Sequence, residues 1–336
     1  MATIAEPNVR PGLSLIMTVL NEEVGLHGFL QSLGEQSSLP SEIVIVDGGS
    51  TDKTMAILRA WQAPRGVRLV FEVVQGAGIS EGRNRAISLA TSEKILVTDA
   101  GTTLDPGWVE NLSRHLGDFD VVSGFFEPHA GTFLSTAVAA TITPHVSEIA
   151  ADAFLPSSRS VGFLKSTWAR AGGYPEWLDY CEDLVFDQAM KADGATFRFV
   201  PTALVTWDAR PTLRAFAKQY FRYARGDGKA RLWKKRHIAR YSAYAFGVML
   251  IVATIFWNPA SILLLIAGGT VYLWKFYRRL FLFRNLLGRN LYKAILLLPI
   301  VVVIGDVAKM LGYPAGLMWL RKNSADRRII AVGPAS

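Results

Sequence analysis

Two stretches of the chain end apolar runs on an acid. In VIVDGGSTDKT, Asp47 closes the run, two glycines follow, and Ser50, Thr51 and Asp52 come next. Glycine lets backbone approach a neighbour closely, and the last three residues suit the start of a helix. Neither role uses Asp47, whose carboxylate is placed to accept a hydrogen bond from a base N–H or a ribose hydroxyl. VTDAGTTLDP puts Asp99 in the same situation, but position 101, where a second acid would help to seat a metal-bound phosphate, is glycine. Asp105 before Pro106 reads better as a turn residue. Two further stretches carry acids at helix starts. In MTVLNEE, Asn21 can cap a helix while Glu22 and Glu23 complement its dipole, and in CEDLVFD the pair Glu182 and Asp183 can do the same. The alternative for the second pair is proton transfer by a positioned carboxylate.

These acids need a scaffold, and the hydrophobic pattern supplies one. LSLIMTV (13–19), EIVIVD (42–47), RLVFEVV (68–74) and KILVTD (94–99) are near-continuous apolar runs, as expected of strands covered on both faces. Between them, residues 22–33, 52–61 and 82–90 have helical spacing with polar faces. Alternating strand and helix predict an α/β domain with a mostly parallel sheet. In such sheets ligands bind outside the carboxyl ends of the strands, where Asn21, Asp47 and Asp99 all fall.

Asn21-Glu22, IVIVDGGSTDKT, GISEGRNRAI, VTDAG and the Glu182-Asp183 pair, in that order and spacing, resemble glycosyltransferase family 2, whose members share the GT-A fold. The resemblance covers residues 12 to about 230. It implies that Thr18, Asn21 or Glu22, and Asp47 contact the nucleotide of a nucleotide-sugar donor, with Arg83 nearby. As a bare sequence feature Arg83 reads as a solvated helix residue. The resemblance also implies that Asp99 contacts ribose or a divalent cation, Mn2+ or Mg2+, with Gly101 removing one direct ligand. Asp183 matches the general base of an inverting displacement, with Glu182 beside it. KQYFRYARGDG is similar to an element that follows the catalytic domain in membrane-bound members. Gln219, Arg222 and Tyr223 match it, and Arg222 and Arg225 are implied as clamps on the diphosphate; the rival reading of such basic residues is contact with lipid headgroups.

The last third of the chain changes character. Half of the 336 residues are hydrophobic and the net charge is +8, with Lys and Arg crowding the end of the sequence around apolar runs, a pattern that favours anionic lipid over nucleic acid. A single cysteine, Cys181, excludes an intrachain disulfide. Pro211–Gly226 reads as an amphipathic interfacial helix, leading into six Lys or Arg between 229 and 240. The apolar runs 243–257 and 260–274 are 15 residues each. At ~1.5 Å per residue each spans about 22 Å, short of a ~30 Å hydrocarbon core, so a hairpin or re-entrant pair is expected. Residues 294–320 contain Asp306 and Lys309, which predicts a shallow or broken helix.

The expected organisation is an N-terminal tail (1–11), a GT-A catalytic domain (12–210), interfacial helices (211–242), membrane-embedded helices (243–320) and a basic tail (321–336). The opening residues hold no apolar stretch that could act as a signal, which predicts a cytoplasmic catalytic domain at the inner or plasma membrane. The expected activity is inverting transfer of a sugar from a UDP- or GDP-sugar to a lipid or lipid-linked saccharide. Two alternatives stay open. One is a nucleotide- or lipid-binding protein without turnover, favoured by Gly101; the other is a nucleotidyltransferase, which has no use for the acid pair at 182–183.

Overall fold

A computed structural model of the chain describes residues 8–129 and 131–323. Strand and helix alternate as β1 (Val9–Val19), α1 (Leu26–Gly34), β2 (Leu39–Asp47), α2 (Thr54–Ala60), β3 (Arg68–Val73), α3 (Ile79–Leu89) and β4 (Lys94–Val97). There follow β5 (Thr102–Leu104), α4 (Trp108–Ser113), β6 (Val121–Pro128), α5 (Phe133–Ile142), β7 (Val161–Leu164), α6 (Lys165–Arg170), α7 (Glu182–Ala192) and β8 (Phe197–Trp207). The sheet order is β3-β2-β1-β4-β7-β6-β8-β5. The strands β1 to β4 run parallel, whereas β7 lies antiparallel to both β4 and β6, and β5 antiparallel to β8.

Period-two alternation explains why these strands carry unbroken apolar runs. Leu15, Met17, Val19, Ile43, Ile45 and Leu96 point to one face, into a core completed by α1 and α4. Ile16, Val44, Val46, Ile95 and Val97 point to the other, against α3 and α7. Each face buries its own set, so the central strand positions are apolar on both sides. The register sets Val19 beside Asp47 and Asp47 beside Val73, while β4 ends with Val97 beside Ile16. The loops after these four strands therefore emerge on one edge. β1 begins at Val9, inside the segment expected to be a tail, because Val9 and Arg10 pair with Leu39 and Pro40. The remaining N-terminal residues and the basic stretch from 324 lie outside the described residues.

The chain divides into two compact units. The first runs to Glu127 and resumes over Val146–Trp207; the second joins Pro128–His145 to everything from Asp208 onward. A single domain over 12–210 was the expectation, yet Pro128–His145 clusters with the second unit. Its helix α5 is apolar on most sides, burying Thr136 to Ala140 in succession, and needs cover that one face of a sheet cannot give.

The second unit adds α8 (Leu213–Lys229), α9 (Lys234–Phe256), α10 (Ser261–Leu282) and α11 (Leu291–Lys322), and α5 packs on α10 and α11. The pair α9 and α10 is longer than its apolar runs, at 23 and 22 residues, about 34 Å. Lys, Arg, Tyr and Phe extend each helix past its apolar stretch, since these side chains tolerate helix well. By length and composition α9 and α11 are long and apolar enough to cross a membrane. Where a shallow or broken helix was expected, α11 is one 32-residue helix with Pro299 and Pro314 inside it. Asp306 does not break it, because the carboxylate is buried against Arg240, Nε to Oδ1 2.8 Å. Glycines bring α8 and α11 into backbone contact. A Cβ at Gly312 would collide with the carbonyl oxygen of Phe221, one at Gly316 with that of Arg225, and one at Gly228 with that of Tyr313.

Candidate active site

Two loops at the carboxyl edge of the sheet are laced together. Asn21 adopts φ +56° and its Oδ1 accepts from the Thr51 N–H at 2.9 Å, while the Asn21 N–H donates to Ser50 Oγ at 2.9 Å. The Glu22 N–H donates to Thr54 Oγ1 at 2.8 Å, and the Glu23 carboxylate accepts from the Lys53 N–H at 3.0 Å. The expected cap role of Asn21 is therefore not what the structure shows. Helix α1 starts only at Leu26, without a side-chain cap, and Asn21, a residue that tolerates left-handed backbone, serves the neighbouring loop instead. Asp52 does turn the chain into α2, accepting from the Thr54 N–H at 2.9 Å, and Asp105 makes its turn by accepting from the Gly107 N–H at 3.1 Å.

Asp47 is buried, and its two oxygens accept from the Gly49 N–H (3.1 Å), the Ser50 N–H (3.0 Å) and Ser50 Oγ (2.5 Å). Most of its acceptor capacity goes into holding the glycine turn open. Thr18 faces α3, where its Cγ2 lies 2.7 Å from the position a Cβ on Gly82 would take, so the small residue at 82 lets α3 approach the strand.

Arg83 is the centre of the charge arrangement. Although it sits on α3, only 2% of it is exposed. One guanidinium nitrogen bonds Asp99 Oδ1 at 2.8 Å and the other bonds Glu182 Oε1 at 2.7 Å, with the Tyr174 ring 5.3 Å away. Burial alone would favour a neutral guanidine, but the charges of Asp99 and Glu182 outweigh it and raise the pKa further. The solvated reading of Arg83 is thus overturned by burial against two acids from distant parts of the chain. Its neighbour Asn84 is structural: Nδ2 donates to the Tyr174 carbonyl (2.9 Å), and Oδ1 accepts from Tyr174 N (2.8 Å) and Trp168 Nε1 (3.0 Å), fixing the turn before α7.

Helix α7 opens on Glu182 and Asp183 after Cys181 in left-handed backbone. Burial, then repulsion from Asp183, push the Glu182 carboxyl up to about 7 against the opposing pull of Arg83. Asp183 is only half-buried and its Oδ1 accepts from the Leu184 N–H at 2.8 Å. One turn further, Asp187 is buried, with Oδ2 lacking a hydrogen-bond partner; burial first, then Asp183 and Glu182, raise its pKa well above the usual carboxylate range. An acid four positions after Asp183 is visible in the sequence as the same helix face, but its burial is not.

Asp99 is the one acid of its loop. Its side chain keeps a third of its surface exposed, and its Oδ2 lies 4.0 Å from Arg159 Nε, so two guanidinium groups flank it. Arg159 also packs over Trp207, 5.1 Å from the ring centroid. It stands in SSRSVGF, outside the motifs that carry the family resemblance. At Gly101 the position a Cβ would take has a single neighbour within 4 Å, Glu22 Oε2 at 4.0 Å. Among the described residues no group of three or more His, Cys, Asp or Glu gathers as a metal cluster. A divalent cation of the Mg2+ type takes one or two carboxylates and completes its shell from substrate phosphates and water, a demand that Asp99 meets in part, with the Glu22 carboxylate beside position 101. Gln219, Arg222 and Arg225 all lie on α8, in the second unit. Gln219 is buried there and donates to Tyr223 OH at 2.9 Å.

Residues 14–148 match the glycosyl transferase family 2 model, and residues 94–305 match that of glycosyl transferase family group 2. The chain is 34% identical over 94 residues to a PGL/p-HBAD biosynthesis glycosyltransferase of Mycobacterium bovis, covering 28% of this chain and 37% of that protein. It is 29% identical over 110 residues to validoxylamine A glucosyltransferase of Streptomyces hygroscopicus subsp. limoneus, covering 32% of this chain and 24% of that one. The matched segments thus span well under half of these relatives. Among solved structures, mannosyltransferase PcManGT from Pyrobaculum calidifontis, in complex with GDP-Man and Mn2+, shares the fold at TM-score 0.54 and 17% identity, over 94% of this chain and 89% of that one.

Proposed function

The chain belongs to glycosyltransferase family 2 and has the GT-A fold, and from that premise we propose that it is an inverting transferase. It moves a sugar from a nucleotide-sugar donor to a hydroxyl of a lipid or lipid-linked saccharide at the cytoplasmic face of a membrane. The observation that carries this reading is the buried guanidinium of Arg83, bonded at once to Asp99 and to Glu182. It fixes the spacing between a carboxylate at the strand edge, on the donor side, and the acid pair at the start of α7, on the acceptor side.

Asp183 takes the proton of the acceptor hydroxyl as its oxygen bonds to the anomeric carbon. On the opposite face the bond from that carbon to the diphosphate oxygen breaks, and the nucleoside diphosphate leaves with the electron pair. Attack opposite the leaving group inverts the anomeric centre. Glu182, tied to Arg83, holds the first turn of α7 in place. Asp47 and Asn21 keep the two loops shaped around the nucleotide, with Thr18 and Arg83 as further contacts of the donor. Asp99 would hold a divalent cation, with the Glu22 carboxylate beside position 101, and the cation would supply positive charge for the departing diphosphate. Gln219, Arg222 and Arg225 are kept as proposed diphosphate contacts. The apolar faces of α9 and α10, with Phe246, Ile255, Leu263 and Ile266 exposed, support a membrane partner.

The test is a panel of nucleotide sugars offered to the solubilised protein with a lipid-linked acceptor, following nucleoside diphosphate release and the anomeric configuration of the product. Asp183→Asn should lower kcat by about 10²–10⁴ with donor binding retained. Full activity in that variant removes the base assignment, and donor binding with no turnover for any acceptor favours the binding-protein reading that Gly101 raises.

A further inference from the structure

In the second unit the carboxylate of Asp306 joins three helices. It lies on α11 and takes Arg240 Nε and Tyr244 OH (3.2 Å) from α9 and Tyr272 OH (2.5 Å) from α10. One carboxylate balances one guanidinium, but more cations stand here. Lys309, one turn along α11, has Nζ 3.9 Å from Asp306 Oδ1 and 4.3 Å from the Tyr220 ring centroid. The charges acting on Lys275 of α10 are those of Arg279, Asp306, Arg240 and Arg236, and those acting on Lys309 include Lys275 and Asp227. Asp227 is already bonded to His237, Nε2 to Oδ2 3.1 Å. Arg236, Arg240, Lys275 and Lys309 thus lie within the field of two carboxylates, Asp306 and Asp227, both of which already have partners.

This surplus sits where an anion can reach it. Arg236 and Arg240 occupy the first turns of α9 and Lys275 and Arg279 the last turns of α10, the same end of a hairpin whose remaining length exposes Phe246, Met249, Ile255, Leu263 and Leu264. With those apolar faces among acyl chains, the basic end is at headgroup level, and basic pockets between membrane helices take anionic headgroups. Lys275 is exposed, and its ammonium lies 4.7 Å from the centroid of the Phe276 ring.

We propose that this cluster binds the phosphate or diphosphate group of a lipid, with Lys275 and Lys309 as its direct contacts. Asp306 and Arg240 are the structural base that holds the three helices, and the two lysines supply the unbalanced charge. The inference deepens the lipid-acceptor reading and rests on it: a diphosphate carried by the acceptor anchors here.

The test titrates the full chain, in neutral detergent and without donor, with a prenyl diphosphate, phosphatidylglycerol, phosphatidylcholine and inorganic diphosphate, counting bound molecules by native mass spectrometry. The prenyl diphosphate should bind most tightly, with inorganic diphosphate a poor competitor. Lys275→Gln combined with Lys309→Gln should weaken it by about thirtyfold. Lys234→Gln with Lys235→Gln removes the same charge from the start of α9 outside the cluster and should change it by less than about threefold. Lys275→Gln alone, at an exposed position, and Lys309→Arg, which keeps the charge, separate loss of binding from loss of fold. Equal loss in both double variants, equal affinity for phosphatidylglycerol, or ready displacement by inorganic diphosphate overturns the site. Because no donor is present, a chain without transferase activity still passes or fails this test, and an active transferase can fail it.

Discussion

A buried guanidinium bonded to acids on two different elements cannot be shortened without leaving charge behind. Arg83→Met strips Asp99 and Glu182 of their partner inside the protein, and breaking a buried pair from one side costs about 3–5 kcal/mol. The variant should therefore melt earlier and lose nucleoside diphosphate release; an unchanged melting temperature would mean that Arg83 is not the tie its contacts describe. Glu182 gives a pH prediction. Its carboxyl is pushed up to about 7 by burial and by the charge of Asp183, against the pull of Arg83. Ionised Glu182 pairs with Arg83 and holds the start of α7, so the rate should rise with pH through an apparent value near 7, and Glu182→Gln, which cannot ionise, should remove that limb. A profile flat from pH 5 to 8 (values chosen to bracket about 7) would contradict the pairing. Gly101 offers a gain rather than a loss. A Cβ there meets only Glu22 Oε2 at 4.0 Å, so Gly101→Asp fits and adds a third acid; Mn2+ affinity in the presence of a nucleoside diphosphate, read by electron paramagnetic resonance, should rise. The acids themselves were legible, because an acid ending an apolar run has few other uses. Their pairing was not: Arg83 reaches 16 residues to Asp99 and 99 to Glu182, and no local pattern encodes that distance.

Among the elements, the parallel half of the sheet was legible because burial on both faces writes itself as unbroken apolar runs. The helix boundaries were less so. Asn21 looks like a cap in sequence because its type suits one, yet the loop contacts of Thr51 claim it, and α1 waits until Leu26. In α11 the charges of Asp306 and Lys309 argued for a break, but a helix tolerates a buried charge that finds a partner, and Asp306 finds Arg240. What holds α11 is its contact with α8 through Gly312, Gly316 and Gly228, where carbonyl oxygens fill the space a side chain would need. Gly312→Ala and Gly316→Ala should each push the two helices apart and cost about 1–3 kcal/mol by overpacking, seen as a lower melting temperature in detergent. Gly268→Ala on α10 is the control. Nothing lies within 4 Å of its Cβ position, and replacing a helical glycine in open space should stabilise by about 0.5–1 kcal/mol.

For the whole molecule, the division into units does not follow the chain. The sequence places the end of the catalytic domain near residue 210, and a truncation there looks natural because strand β8 has just finished. Such a truncation keeps α5 but deletes the helices it packs on. Residues 136–140 of α5 are buried in the whole chain and become exposed when α10 and α11 are gone. Fully burying each larger apolar side chain is worth about 1.5–3 kcal/mol, and an uncovered apolar helix seeks another copy of itself. Residues 1–207 made alone should therefore aggregate or elute as oligomers on gel filtration. Replacing Pro128–His145 by a short glycine-serine linker in the same truncation should restore a monomer, because the sheet core of the first unit, including β6 to Glu127 and β7 from Val161, stays intact. If the simple truncation is monomeric and as stable as the linker form, α5 does not depend on α10 and α11 for cover, and the two units are divided by the chain after all.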